Sequence, residues 1–129
     1  MFSEKEIAYI KSQRLARIAT VSKSLQPDVA PVGYEFDGRD FYIGGLIQTK
    51  TRKYKNILSG NMKVAIVIDD MESVTPWRPR GIKIFGTAEI VDRKGAFVTG
   101  PHLRITPAKH NSWGIERPVE LPSASGARS

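Results

Sequence analysis

The sequence predicts a mainly β protein, a small antiparallel β-barrel of about six to seven strands with two or more short helices. Three observations predict it. Short segments rich in β-branched residues alternate apolar with polar positions at close spacing. Turn signals separate them, at Lys23-Ser24-Leu25-Gln26, Asp37-Gly38, Gly44-Gly45 and Ser59-Gly60-Asn61. Only two short stretches have helical character, and many short strands with few helices close most simply into a barrel.

The elements follow in order. Ser3-Glu4-Lys5-Glu6 has the capping-box pattern, a Ser with Glu three residues on, and predicts a short helix to about Gln13. Ile7, Tyr9 and Ile10 would let it cover one end of a sheet. Leu15 to Ser22 reads as the first strand. Asp28 to Phe36 reads as the second, and Pro31, which lacks an N–H, puts that strand at an edge or at a bulge. Asp40 to Gly44 is the third strand, so the first three form an antiparallel meander. Tyr54 to Leu58 has helix character. Met62 to Asp70 is a strongly apolar fourth strand. Met71 to Arg80, with Pro76, Trp77 and Pro79, reads as a loop. Gly81 to Val91 is a long fifth strand, with Gly86 marking a bulge or bend. Lys94 to Gly100 reads as a loop. His102 to Thr106 and Lys109 to Glu116 read as two more strands around Pro107. From Arg117 onward Pro, Ser, Ala and Gly dominate, so residues 1–116 are expected to form one domain and 117–129 a disordered tail.

A chain of 129 residues without Cys holds no disulfide, no thiol nucleophile and no Cys-based zinc site. No stretch approaches the ~20 apolar residues of a membrane-spanning helix. Glu4, Lys5 and Glu6 do not belong to a signal peptide, so a cytoplasmic location is expected. The net charge of +7 and pI near 9.9 favour an anionic partner. A nucleic-acid-binding barrel would interleave exposed aromatics with cations across one face. Here Phe41 and Tyr42 are adjacent and the cations concentrate at one turn, which favours a phosphorylated small molecule over nucleic acid or membrane.

That turn is Thr49-Lys50-Thr51-Arg52-Lys53-Tyr54-Lys55, four cations and two threonine hydroxyls between an apolar strand and a helix start. Helix-start N–H groups carry partial positive charge, and hydroxyls with Lys or Arg complete an anion shell. The same run also reads as a solvated cationic helix face. No Ser-His-Asp set, carboxylate pair or metal-ligand run stands out, so catalytic residues stay unassigned and no metal site is expected. His102 and His110 read as surface or edge-strand residues, and Asp69-Asp70 as a polar strand end.

Four ordered segments carry a resemblance: Arg17-Ile18-Ala19-Thr20-Val21 with Pro31-Val32-Gly33; Lys50-Thr51-Arg52-Lys53-Tyr54; Pro76 to Ile82 with Gly86-Thr87-Ala88-Glu89-Ile90; and Arg104-Ile105-Thr106-Pro107 with Ser112-Trp113-Gly114. Across roughly residues 2–116 the chain resembles the flavin-binding split barrels of the pyridoxamine 5′-phosphate oxidase-like superfamily, and looks closest to the branch that uses the deazaflavin F420. The resemblance implies a split barrel and a homodimer with each cofactor in a groove at the interface. It implies an oxidoreductase passing hydride between F420 and a small unsaturated organic substrate. Ile18, Ala19, Thr20, Pro31, Val32 and Gly33 would lie along the ring system, although plain strand packing accounts for them equally. Thr51, Arg52 and Lys53 match the phosphate-binding Ser-Arg-Lys run of the flavin oxidases. An anionic F420 tail would account for further cations, Lys50, Lys55, Arg78 or Arg80, where the alternative cofactor FMN would need fewer. Trp77 either walls the groove or plugs the barrel end or dimer interface. Arg104 either reaches the cofactor across the interface or pairs with a carboxylate. The oxidase branch has substrate-binding residues in a C-terminal extension that has no counterpart here, so pyridoxamine phosphate is not the expected substrate. Two other readings keep the fold: an FMN-binding oxidase or reductase, and a non-catalytic flavin- or F420-binding protein. In this chemistry the cofactor carries the hydride. Tyr34, Tyr42, Tyr54 or solvent remain as proton donors.

Overall fold

A computed structural model describes residues 1–121. The chain runs α1 (Glu4–Ser12), β1 (Leu15–Val21), β2 (Pro27–Gly33), β3 (Glu35–Phe36), β4 (Phe41–Ile43), a single 3-10 turn (Gln48–Lys50), α2 (Arg52–Leu58), β5 (Lys63–Val74), β6 (Trp77–Lys94) and β7 (Thr99–Trp113). All strand pairs are antiparallel, in one sheet of order β2-β1-β5-β6-β7-β4-β3. The two edges of that sheet, β2 and β3, are separated in the chain by Tyr34 alone. One residue spans only about 3.4 Å of extended chain. The sheet must therefore curl until its edges meet, which makes it a barrel with a split at the Tyr34 seam.

The expected second strand is thus one bent strand that changes partners. Its first half pairs with β1 and its second half with β4. Tyr34 fixes the bend: its hydroxyl donates to Ile10 O at 2.6 Å, holding the seam under the end of α1. Pro31 lies on β2, an edge strand, where a residue without an N–H is tolerated. The capping box of α1 is complete, with Glu6 N donating to Ser3 Oγ and Ser3 N to Glu6 Oε1. Tyr9 and Ile10 on α1 close one end of the core.

Alternation does the rest. Ile18, Ile66, Ile68, Ile82, Ile84, Leu103 and Ile105 all point inward and are fully buried, with Phe41 and Ile43 from β4. Burying each such side chain contributes about 1.5–3 kcal/mol before entropy is counted.

Two sequence expectations are corrected. Met71–Arg80 is no loop, because β5 runs to Val74 and β6 starts at Trp77, so Trp77 sits on a strand paired with Val74. Pro79 is tolerated there because the register slips between Met71 and Ser73. Likewise β7 passes straight through Pro107. Partners jump from Phe85↔Lys109 to Gly86↔Pro107, leaving Ala108 as the extra residue of a bulge. The bulge expected at Gly86 is present, and a Cβ on Gly86 would collide with the Thr106 backbone. Residues 117–121 carry no helix or strand, and the remainder of the expected tail lies outside the described residues. No helix among the described residues is long and apolar enough to cross a membrane.

Candidate functional site

Thr51 caps α2. Its Oγ1 accepts from Tyr54 N at 3.3 Å and spends its own hydrogen on Gln48 O at 2.7 Å. Lys55 N bonds Thr51 O, so the N–H groups of Arg52 and Lys53 are the ones left over at this end. The first turn holds no acidic residue. Lys50, Arg52 and Lys55 are exposed, and among the described residues none forms an ion pair. Lys53 is different. It is 9% exposed, burial pushes its ammonium pKa down, and Asp28 on β2 partly opposes that shift. The donors here are two free N–H groups, one desolvated ammonium and three solvated cations, a set that fits an anionic phosphate. Thr51 would serve such a phosphate through the turn it holds rather than by donating its hydroxyl.

α2 packs on β1, β2 and β6, and the buried Asn56 donates to Thr20 Oγ1 at 2.9 Å. The phosphate-type turn therefore meets the Thr20 and Asp28 end of the β1–β2 hairpin. Gly33, paired with Leu15, lies five residues along the strand, roughly 17 Å away. Ile18, Thr20 and Val32 are buried, so they would present only backbone to a ligand on the outside of the hairpin; Pro31 and Gly33 are exposed there and Ala19 half-buried.

Trp77 and Arg80 are not brought to this hairpin within one chain. β1 pairs β5 only over Arg17 to Ala19, and the β5–β6 arm runs on past it. Trp77 is exposed near the tip of that arm. Arg80 is held by Asp70 through Nε at 2.8 Å and Nη2 at 3.0 Å, and its guanidinium lies 5.0 Å from the Tyr9 ring centroid. That ion pair and hydrogen bonds from Tyr9 and Gln13 hold the Asp70 carboxyl below its usual range. Asp69 pairs with Arg17 at 2.5 Å. The acidic dyad is therefore mid-strand and used for cross-strand pairing, not a strand end. Arg104 pairs with Glu89, its facing residue on β6.

A cavity of about 470 Å³ opens at the seam of the barrel, lined in part by Gly33, Tyr34, Glu35, Tyr42, Gly44, Phe97 and His102. Of the tyrosines considered as proton donors, Tyr34 is engaged with Ile10 O, and burial pushes its pKa up to about 12. Tyr42 lines the cavity beneath Arg93, whose guanidinium is 3.9 Å from its ring centroid. Tyr54 packs against the core. Neither histidine is a surface residue. His102 is 1% exposed on β7, between β6 and β4, and His110 Nε2 lies 3.0 Å from Glu6 Oε1 of α1. His110 finds its partner 104 residues away, and His102 is buried by strands and loops remote in the chain although its Nδ1 partner, Gly100 O, is local. His102, Glu35 and Phe97 meet at the cavity although no local signal in the sequence links them.

The family model described as pyridoxamine 5′-phosphate oxidase matches residues 2–114. A 5a,11a-dehydrotetracycline/5a,11a-dehydrooxytetracycline reductase of Streptomyces rimosus is 34% identical over 122 residues, covering 89% of this chain and 84% of the relative. A conserved hypothetical protein of Mycobacterium tuberculosis has a solved structure that superimposes with a TM-score of 0.71 at 19% identity, over 98% of this chain and 96% of that one. A solved F420 reductase superimposes at 0.60 with 24% identity, over 76% of this chain and 89% of that one. At these identities the two structures establish a shared fold.

Proposed function

This chain belongs to the pyridoxamine 5′-phosphate oxidase family, and on that premise we propose that it is an F420-dependent reductase of a small unsaturated organic substrate. The observation that carries the reading is its 34% identity, across 89% of its length, to a reductase of a dehydrotetracycline. Family membership and the fold shared with an F420 reductase support a flavin or deazaflavin cofactor. The choice of F420 over FMN rests on charge. A single terminal phosphate would be satisfied by Lys53 and the free N–H groups of α2. Lys50, Arg52 and Lys55 then remain for a longer anionic tail.

When bound, the cofactor supplies the hydride chemistry. The chain's own residues position it. The α2 turn takes the phosphate, and the outer backbone of Ala19, Pro31 and Gly33 lies along the ring. The seam cavity beyond Gly33 receives the substrate. A homodimer belongs to the same proposal. By register, Val29, Ala19, Ala65 and Phe85 form one row across the outer face of the sheet, with Val29 68% and Phe85 36% exposed. Met71, Val74 and Trp77 leave the β5–β6 arm apolar and exposed. A second copy of the chain would cover both surfaces and carry an arm, with Trp77, towards the neighbouring groove.

The test is a titration with F420 and with FMN, followed by fluorescence polarisation. Tighter binding of F420 is expected. Binding of FMN alone would transfer the reading to an FMN enzyme of the same fold. No binding of either below about 100 μM, an affinity near −5.5 kcal/mol, would refute it.

A further inference from the structure

The seam cavity contains a feature that cofactor binding does not use. The buried His102 holds its Nδ1 2.9 Å from Gly100 O. A carbonyl only accepts, so Nδ1 carries the hydrogen, and in the neutral ring Nε2 is left as a bare acceptor. Nε2 sits in a notch between two glycines. A Cβ on Gly44 would lie 2.6 Å from it and a Cβ on Gly95 2.7 Å. The Gly95 position is equally 2.7 Å from Glu35 Oε2. Only glycine at these two positions leaves the imidazole room, and His102 Nε2 and Glu35 Oε2 come near each other at the wall of the seam cavity. Glu35 already accepts from Arg93 Nη2 at 3.0 Å and Ala96 N at 3.1 Å, which fixes its carboxylate. His102 Nε2 has no partner among the described residues.

Two acceptors call for a donor. A carbonyl or carboxylate ligand would be repelled by them. An ammonium would meet the opposing charge of Arg93 on Glu35 and of Arg14 at the cavity wall. A metal ion would find too few ligands, since no group of three His, Asp or Glu side chains occurs among the described residues. A neutral O–H fits. Two aromatic rings, those of Tyr42 and the 90% exposed Phe97, line the same cavity with Val98.

We propose that the seam cavity binds a planar conjugated molecule through a phenolic or enolic hydroxyl that donates to His102 Nε2, which makes His102 a specificity-determining residue. This deepens the reductase reading and rests on it for the identity of that molecule as substrate. The hydroxyl is the stronger donor the more acidic it is, and an analogue without it leaves Nε2 buried and unpaired.

Cofactor-free full-length protein is titrated by fluorescence with 7-hydroxycoumarin and with 7-methoxycoumarin, planar lactones that differ in a single O–H. The hydroxyl probe is expected to bind about ten-fold tighter. In protein labelled with ¹⁵N at histidine, the His102 Nε2 resonance should shift on adding it while Nδ1 stays protonated. His102→Phe should abolish the difference between the probes. Equal binding of the two probes to the wild type, or an unmoved Nε2 resonance, overturns the proposal, and neither measurement depends on the variant folding. Loss of F420 binding with probe discrimination intact would remove the reductase reading and leave the hydroxyl site standing. F420 binding without discrimination would remove the hydroxyl site alone.

Discussion

Lys53→Met separates a phosphate-binding lysine from a merely cationic helix. Lys53 lies in the first turn of α2, 9% exposed, with its ammonium desolvated and Asp28 as the facing charge. Methionine keeps the apolar stem that packs under the helix and deletes the charge. A hydrogen bond from a charged, desolvated donor to a phosphate contributes about 1.5–3 kcal/mol. F420 should therefore bind about ten- to a hundred-fold more weakly. Fold stability should change by less than about 1 kcal/mol, because removing the buried ammonium also removes its desolvation cost. Fluorescence polarisation gives the affinity and a urea midpoint gives the stability. A folded variant whose affinity stays within about two-fold of wild type takes Lys53 out of the site, because a desolvated charge–phosphate bond cannot be that weak. Arg52→Ala is the internal comparison. Its side chain is exposed, so its smaller effect should shrink as salt is added, while that of Lys53 persists.

Thr20→Val removes the acceptor of the buried Asn56 amide, which ties α2 to β1, and should cost about 1–3 kcal/mol in urea unfolding. Phe85→Glu puts charge in the apolar row of the outer sheet face; size-exclusion chromatography should report a monomer, with F420 affinity falling alongside. Glu6 predicts an acid limb of stability. Burial alone would raise its pKa, but hydrogen bonds from Ser112, from Ser3 N and from His110 outweigh that and hold the carboxyl below its usual range. A depressed folded pKa gives stability that is present above the unfolded value and lost as pH falls through the folded one. Stability should therefore decline below about pH 4.5 by up to about 1.4 kcal/mol per unit from this group, and Glu6→Gln should flatten that limb in denaturant titrations at stepped pH.

Much of the fold was legible because its signals are local. Ser3 and Glu6 are three residues apart, and the box they make is present. The inward isoleucines of β1, β5 and β6 are set by a two-residue alternation visible in any window. The Gly86 bulge and the edge position of Pro31 follow from what one residue lacks. The errors fell where a distant partner overrides a local breaker. Pro79 and Pro107 read as strand ends, but each sits beside a register slip, where the regular ladder is interrupted and a missing N–H is tolerated. The basic turn was readable as cations gathered at a helix start. Its division of labour was not: burial of Lys53 and the spent hydrogen of Thr51 depend on β2 and on the preceding 3-10 turn.

The sequence by itself determined most of the strands, the capping box of α1, the cationic turn and, through an ordered run of motifs, the family. These are properties of neighbouring residues, governed by side-chain shape, missing N–H groups and missing Cβ atoms. Only the tertiary structure decided that one residue, Tyr34, joins the two edges of the sheet and leaves a cavity at the seam. It alone set His110 against Glu6, 104 residues apart, and His102 Nε2 in the gap between Gly44 and Gly95. The reason is barrel closure. Curling the sheet brings β7, the β2–β3 bend and the β6–β7 loop to one place, and no window of the chain is long enough to contain all three.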